Sequence, residues 1–298
     1  MDKPTIIVIT GPTASGKSAL AIDVAQKLGT EIISADSRQI YHGIPIVTAM
    51  PSAEELSNVR HHLIDILPLD AYYSASMFEE DAMGIIEDMI SRTGTAVVCG
   101  GSMMYVDALC NGIDELPTVP DHIRHGLENE LKQNGEEWLR EELHKLDPEY
   151  YTKVDLKNTK RVFHAVEIIR AAGKPYTELR TGKHQERPFH IKKFLLAPDR
   201  SVLFDRINRR VDIMVESGLE DEARRVYDLR HLNSLNTVGL KEMFTWFAGD
   251  MDRTTAIERI KKNTRVYAKK QLTWWARDKG ITPIDPATSD PLETILKN

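Results

Sequence analysis

The chain has 298 residues, 41% hydrophobic and 28% charged, with a formal net charge of -6; this suffices for one α/β core plus a smaller second domain and excludes a basic coat for nucleic acid. Two cysteines, Cys99 and Cys110, lie in or near an apolar run and are expected to be free thiols in a reducing compartment, not a disulfide or a metal site. The chain enters its first apolar run without a signal-peptide pattern and carries no apolar stretch long enough to span a bilayer, so a cytoplasmic protein is expected.

Ile6-Ile7-Val8-Ile9 is β-branched throughout and reads as a buried parallel strand. It runs into Gly11-Pro-Thr13-Ala14-Ser15-Gly16-Lys17-Ser18, the spacing of a Walker A loop, whose backbone N–H groups and helix dipole bind a chain of phosphates. Ala19 to Leu28 is the following helix. A second short strand is expected at Glu31 to Ala35, with Asp36-Ser37-Arg38-Gln39 at its carboxyl end, where side chains of a doubly wound sheet reach the ligand crevice. Asp36 is therefore a candidate acid/base group, with a loop or N-cap carboxylate as the alternative. His61-His62 lacks the i, i+4 spacing of a helical zinc pair and is read as structural or substrate-contacting.

Helical periodicity follows from Ala75 to Ile90, then a third buried strand over Thr95 to Cys99, turning through Gly100-Gly101-Ser102 into another helix. Strand signals vanish between about 113 and 187, where charged helical patterns occupy His122 to Gln133, Glu136 to Lys145 and Asn158 to Ala172. The last of these opens a locally basic passage, Lys157, Lys160, Arg161, Arg170, Lys174, Arg180, Lys183, Arg187, Lys192 and Lys193, which is either a solvated face or an RNA surface. Strand pattern resumes at His190 to Ala197. A helix then carries Arg206 and Arg210 on one face, spaced for a diphosphate clamp or for an exposed surface laced by Asp205 and Asp212. From Ile257 to about Arg277 basic residues interleave with Tyr267, Trp274 and Trp275, as in phosphate contact plus base stacking. Ile281 to Ile284 is a further edge strand, and the last residues read as a frayed tail. The predicted fold is α/β: a P-loop NTPase-like parallel-sheet core over 1–112 and 188–298, with an inserted all-helical domain at 113–187.

Several segments in this order resemble the tRNA dimethylallyltransferase family, also called tRNA isopentenyltransferases. They are the loop Gly11 to Ser18, Asp36-Ser37-Arg38-Gln39-Ile40-Tyr41, His61 to Ile66, Gly100 to Tyr105, Gly239-Leu240-Lys241-Glu242 and Thr264 to Trp274. The resemblance implies Mg²⁺-assisted transfer of a dimethylallyl group from dimethylallyl diphosphate to N6 of adenosine 37, next to the tRNA anticodon, by a monomeric enzyme. In that setting Gly11, Thr13, Ala14, Ser15, Gly16, Lys17 and Ser18 would cradle the diphosphate, with Mg²⁺ at Ser18. Arg206 or Arg210 would complete the clamp, and Asp36 would take the proton from N6. Ser37, Gln39, Tyr41, Lys160, Arg161, Thr264, Arg265, Lys269, Lys270 and Gln271 would contact the anticodon stem-loop. One loop departs from the family pattern: Pro45-Ile46-Val47-Thr48-Ala49-Met50-Pro51 has Met50 for the usual lysine and Val47 for a glycine, and Leu240 replaces a tyrosine. Three other readings share parts of this pattern: a free-adenylate isopentenyltransferase, a small-molecule kinase using the same loop, and a non-catalytic RNA-binding protein.

Overall fold

The computed structural model describes residues 3–114, 116–182 and 185–298; Lys183 of the basic passage lies outside them. The chain forms two compact units, 3–111 with 186–298, and 112–185.

The larger unit is built on six parallel strands in the order β3-β2-β4-β1-β5-β6: β1 Thr5–Thr10, β2 Ile32–Ser34, β3 His61–His62, β4 Thr95–Gly100, β5 His190–Leu196 and β6 Ile281–Ile284. Both faces are covered, and the pleat shows why the strands read as continuous apolar runs. Ile6, Val8, Ile33, Ala96, Val98 and Leu195 enter one core cluster, whereas Ile7, Ile9, Ile32, Val97, Phe194 and Leu196 enter the other. Between and after these strands lie α1 Lys17–Leu28, α2 Pro45–Thr48, α3 Ala53–Asn58, α4 Ala75–Thr93 and α5 Met103–Asn111. The chain then passes through the second unit, which holds α6 Asp121–Leu146, α7 Pro148–Lys153, α8 Thr159–Ala172 and α9 Tyr176–Leu179. It returns through β5 to α10 Arg200–Glu216, α11 Leu219–Arg225, α12 Leu240–Phe247, α13 Arg253–Trp275 and, after β6, α14 Pro291–Lys297.

Two details place the functional end of the sheet. β1 lies between β4 and β5, so the chain leaves it in one direction for β2 and reaches its other flank only with β5; the carboxyl ends around this reversal form the crevice of a doubly wound sheet. Gly100, at the end of β4, abuts the backbone of Ala35 so closely that a Cβ there would collide with the Ala35 carbonyl. The Asp36 turn and the Gly101-Ser102 turn are thereby held side by side, with Ser102 N–H donating to the Ala35 carbonyl at 3.1 Å.

The second unit has its own core, in which Leu127, Leu139, Leu143, Val162, Val166 and Ile169 are buried together. α6 is broken at Gly135, whose φ of 81° and ψ of 178° are not helical, so the two periodic segments read from the sequence meet at that glycine. Arg170 is part of this architecture: it pairs with Glu130 at 2.8 Å and Glu142 at 3.0 Å. In the core unit Arg187 is likewise buried against Glu79, and Lys193 pairs with Asp278. Three residues of the basic passage are thus committed to ion pairs within the protein. Lys157, Lys160 and Arg161 are exposed.

Where a frayed tail was expected, α14 is capped by Asp290, which accepts from Glu293 N–H at 3.1 Å, and it seats Ile295 in the core beside α1 with 2% exposure. Leu292, Ile295 and Leu296 span barely one helical turn, too short a periodic signal to predict this. Ile295→Ala is expected to cost about 2–5 kcal/mol of stability, measured by denaturant unfolding; a cost near zero would mean that the tail is indeed loose. Among the described residues no helix is long and apolar enough to cross a membrane.

Candidate active site

The loop between β1 and α1 turns through positive φ at Ala14 (63°) and Gly16 (98°) before α1 begins at Lys17. It is braced from two other elements. Gln271 on α13, 2% exposed, accepts from Thr13 N–H at 3.0 Å through Oε1 and donates through Nε2 to the Gly101 carbonyl at 2.8 Å. Arg206 on α10 donates to the Ser15 carbonyl at 3.2 Å. Ser15 Oγ is buried and lacks a hydrogen-bond partner among the described residues, a polar donor or acceptor held inside the loop.

A cleft of about 390 Å³ opens beside the loop, lined among others by Thr13, Lys17, Ser18, Asp36, Gly101 and Arg210. A second cavity, on the flank where α10 meets the loop, is lined by Ala14, Gly16, Lys17, Ser18, Arg206, Arg209 and Arg210. Lys17, Ser18 and Arg210 belong to both. Burial pushes the Lys17 ammonium below its ordinary pKa, and the Arg210 charge adds to the effect while Cys99 and Asp36 oppose it. Burial lowers Arg210 as well, offset by Asp36. Two desolvated cations therefore share one place with a single carboxylate, which is the electrostatic preparation for a polyanion.

Asp36 follows β2 and is held by its own turn: Oδ1 accepts from Arg38 N–H at 2.9 Å and from Gln39 N–H at 3.4 Å. Oδ2 has no hydrogen-bond partner among the described residues. Ser37, Arg38 and Gln39 also line the cleft, as does His61 at the end of the sheet, whereas His62 pairs with Glu31 at 2.5 Å. On α13 the residues Ile260, Thr264, Tyr267 and Gln271 face the same cleft, at spacings of four, three and four that define one helical stripe.

The structure redistributes several residues assigned from the sequence. Gln271 is interior and supports the loop. Tyr41 is 3% exposed and donates its hydroxyl to the Ala71 carbonyl at 3.3 Å, so it belongs to the core. Gln39 is engaged on both sides: Oε1 accepts from Ser34 Oγ at 3.1 Å, and Nε2 donates to the carbonyls of Thr48 and Ala49 at 3.2 and 3.1 Å. Thr264 donates to the Ile260 carbonyl at 2.7 Å and lines the cleft, and Arg265 donates to Asn208. Lys269 and Lys270 are exposed, the former 5.5 Å over the Phe204 ring. Lys160 and Arg161 occupy the first turn of α8, where Asn158 caps the helix by accepting from Arg161 N–H at 3.2 Å. Arg209 of the second cavity and residues 236–238 of the cleft wall carry no assignment from the sequence, and Tyr267 is read there only as an aromatic interleaved with basic residues. The stripe on α13 was present in the sequence, but which face of that helix met the loop was not.

Fold and site together define a P-loop NTPase-like α/β protein in which the β1–α1 loop and a carboxylate open onto one cleft. The chain belongs to the IPP transferase family, which matches residues 39–278. It is 48% identical over 292 residues to the tRNA dimethylallyltransferase 2 of Parabacteroides distasonis, covering 98% of each chain. It is 50% identical over 294 residues to the tRNA dimethylallyltransferase 1 of Bacteroides thetaiotaomicron, covering 99% of this chain and 96% of that one. Among solved structures it resembles the full-length tRNA isopentenylpyrophosphate transferase of Bacillus halodurans, with a TM-score of 0.71 and 36% identity over 99% of this chain and 94% of that one. A eukaryotic dimethylallyltransferase acting on tRNA superposes with a TM-score of 0.81 at 27% identity, over 99% of this chain and 77% of that one.

Proposed function

We propose that this protein transfers the dimethylallyl group of dimethylallyl diphosphate to N6 of adenosine 37 in tRNA and releases diphosphate. The observation that carries the reading is that Asp36, Lys17 at the start of α1 and Arg210 on α10 line one cleft in a chain of this family. In the reaction N6 attacks C1 of the dimethylallyl group, the C1–O bond breaks with its electron pair going to diphosphate, and the N6 proton passes to Asp36. The amine is a weak nucleophile, so holding it in line is as much the task of Asp36 as accepting its proton. The loop N–H groups, Lys17 and Arg210 receive the charge that develops on the leaving diphosphate. Arg210 suits this role better than Arg206, because it lines both cavities while Arg206 is held at the Ser15 carbonyl. The adenine must leave its stack to enter the cleft.

Among the described residues no cluster of three His, Cys, Asp or Glu could hold a metal ion. The Ser18 hydroxyl and Asp36 share the cleft, however, and a hard cation that takes most of its oxygens from diphosphate and water asks little more of the protein. That donor set fits Mg²⁺ at Ser18, which when bound with the donor would neutralise charge on the leaving group. We further propose a cytoplasmic monomer, with Cys99 and Cys110 as free thiols.

Support for RNA over free adenylate comes from α8. Cations in the first turn of a helix oppose its dipole and lower its stability, so exposed Lys160 and Arg161 at that position favour a role in anion contact. Lys269 and Lys270 on α13 offer a second exposed basic pair. Removing Lys160 and Arg161 together is expected to weaken binding of an anticodon stem-loop. It should flatten the slope of log affinity against log salt by about 1.5; an unchanged slope would remove both from the RNA surface. The function itself is tested by mass analysis of a stem-loop carrying adenosines at positions 36 to 38, incubated with dimethylallyl diphosphate and Mg²⁺. A gain of one dimethylallyl group is expected. Transfer to free AMP with none to the stem-loop would instead identify a free-adenylate enzyme.

A further inference from the structure

Glu222 on α11 is fully buried, with 0% exposure, and takes no part in the chemistry above. Its carboxylate reaches α2: Oε2 accepts from Ile46 N–H and Oε1 from Val47 N–H, each at 2.8 Å. α2 begins with Pro45, which has no N–H, and no side chain of its own caps it. Glu222 therefore takes both donors of that helix start. Burial raises the Glu222 carboxyl above the ordinary carboxylate range, with the two N–H groups working in the other direction. An acid kept in the interior for two backbone bonds serves the placement of that backbone.

That backbone is a wall of the cleft. Val47, Thr48 and Ala49 line it, and Ala49 holds a left-handed φ of 44°. At the far end of α2 the Thr48 and Ala49 carbonyls hold the Gln39 amide, and Gln39 N–H in turn helps fix Asp36 Oδ1. A continuous series of hydrogen bonds and one helical turn thus runs from Glu222 to Asp36. On its other side α2 leans on Gly239, where a Cβ would run into the Val47 methyl. Gly239 is itself fixed by a second buried carboxylate, Glu242, which accepts from Gly239 N–H at 2.8 Å and from Asn263 Nδ2 at 2.7 Å. Val47 stands where the resembled family usually has glycine, so in this chain the wall makes a side-chain contact that a glycine could not.

We propose that Glu222 is a positioning residue for prenyl transfer, setting the place of α2 and, through Gln39, the aim of Asp36. This rests on the reaction proposed above. In Glu222→Gln one acceptor oxygen becomes an N–H₂ group facing a backbone donor, which displaces α2 without emptying the interior. The single-turnover rate at saturating donor and stem-loop is expected to fall about 10- to 100-fold, the scale of a misplacement of about 1 Å. The thermal shift produced by inorganic diphosphate should be unchanged, because the phosphate loop is braced by Gln271 and Arg206 instead. Combined with Gln39→Ala, the double variant is expected to be no slower than the slower single variant, since both interrupt one series of contacts. Glu222→Asp, which keeps both oxygens at shorter reach, serves for the same cycle if the glutamine variant does not fold. A wild-type rate in Glu222→Gln, rate losses that multiply in the double variant, or an equal loss of diphosphate stabilisation would overturn the assignment. Absence of transfer to RNA by the wild-type protein would instead refute the function on which it rests.

Discussion

Asp36→Asn is expected to lower the single-turnover rate of prenyl transfer by about 10²- to 10⁴-fold, the contribution typical of a positioned general base. Asparagine is the informative substitution because Oδ1 is spent on the N–H groups of Arg38 and Gln39, and an amide oxygen can keep both bonds. The turn therefore survives. What is lost is the second oxygen, replaced by an N–H₂ group that can neither accept the N6 proton nor orient the amine. Affinity for the stem-loop should stay within about twofold, because phosphate contacts elsewhere supply most of it. Rapid-quench kinetics with mass detection measures the first quantity and filter binding the second. A rate within about fivefold of wild type would show that another group takes the proton.

Lys17→Ala is the second large expected effect: a rate loss of about 10²- to 10³-fold, together with loss of the stabilisation that diphosphate confers. The two belong together physically. In the free protein Lys17 and Arg210 are both depressed by burial, and Arg210 adds to the cost of the Lys17 charge. A bound diphosphate supplies the missing negative charge. At about a hundred times its dissociation constant it should add about 2.7 kcal/mol to the stability of the wild-type protein. The alanine variant removes one of the paired cations, so it should start with less electrostatic strain and gain little on adding diphosphate. Differential scanning calorimetry with and without diphosphate reads this directly; a full shift in the variant would mean that the loop N–H groups and Arg210 suffice to bind it.

How much of this was visible before the fold depended on the range of the interaction involved. The β-branched run at Ile6 to Ile9, the glycine spacing of the loop and the charged helical periodicity of residues 121–172 are local patterns, and each read directly as an element. The strand at His61–His62 and the helices α2 and α3 are only two, four and six residues long, too short for a period to emerge. Polar residues were the harder case. Tyr41, Gln39 and Gln271 carry groups that a surface on RNA could use, yet each spends its hydrogen bonds inside the protein on partners distant in sequence or around a turn. The same holds for charge: Arg170 and Arg187 looked like parts of a basic surface, but their acidic partners at Glu130, Glu142 and Glu79 lie 28 to 108 residues away. Glu222 is one of three acidic residues in the first turn of α11, and only the fold brings α2 to it.

The position of β1 between β4 and β5 bears on how the protein is made. During synthesis β1 can pair with β4 once residues 95–100 have emerged, but its other edge stays unpaired until His190–Leu196 follows. For roughly ninety residues of translation, several seconds at about 5–20 residues per second, the strand carrying the phosphate loop is an open apolar edge of the kind that invites pairing between nascent chains. Most of that interval is spent producing residues 112–185, a unit with its own core that can fold as it appears. That interval adds no strand to the sheet, and the open edge of β1 is closed only when β5 arrives.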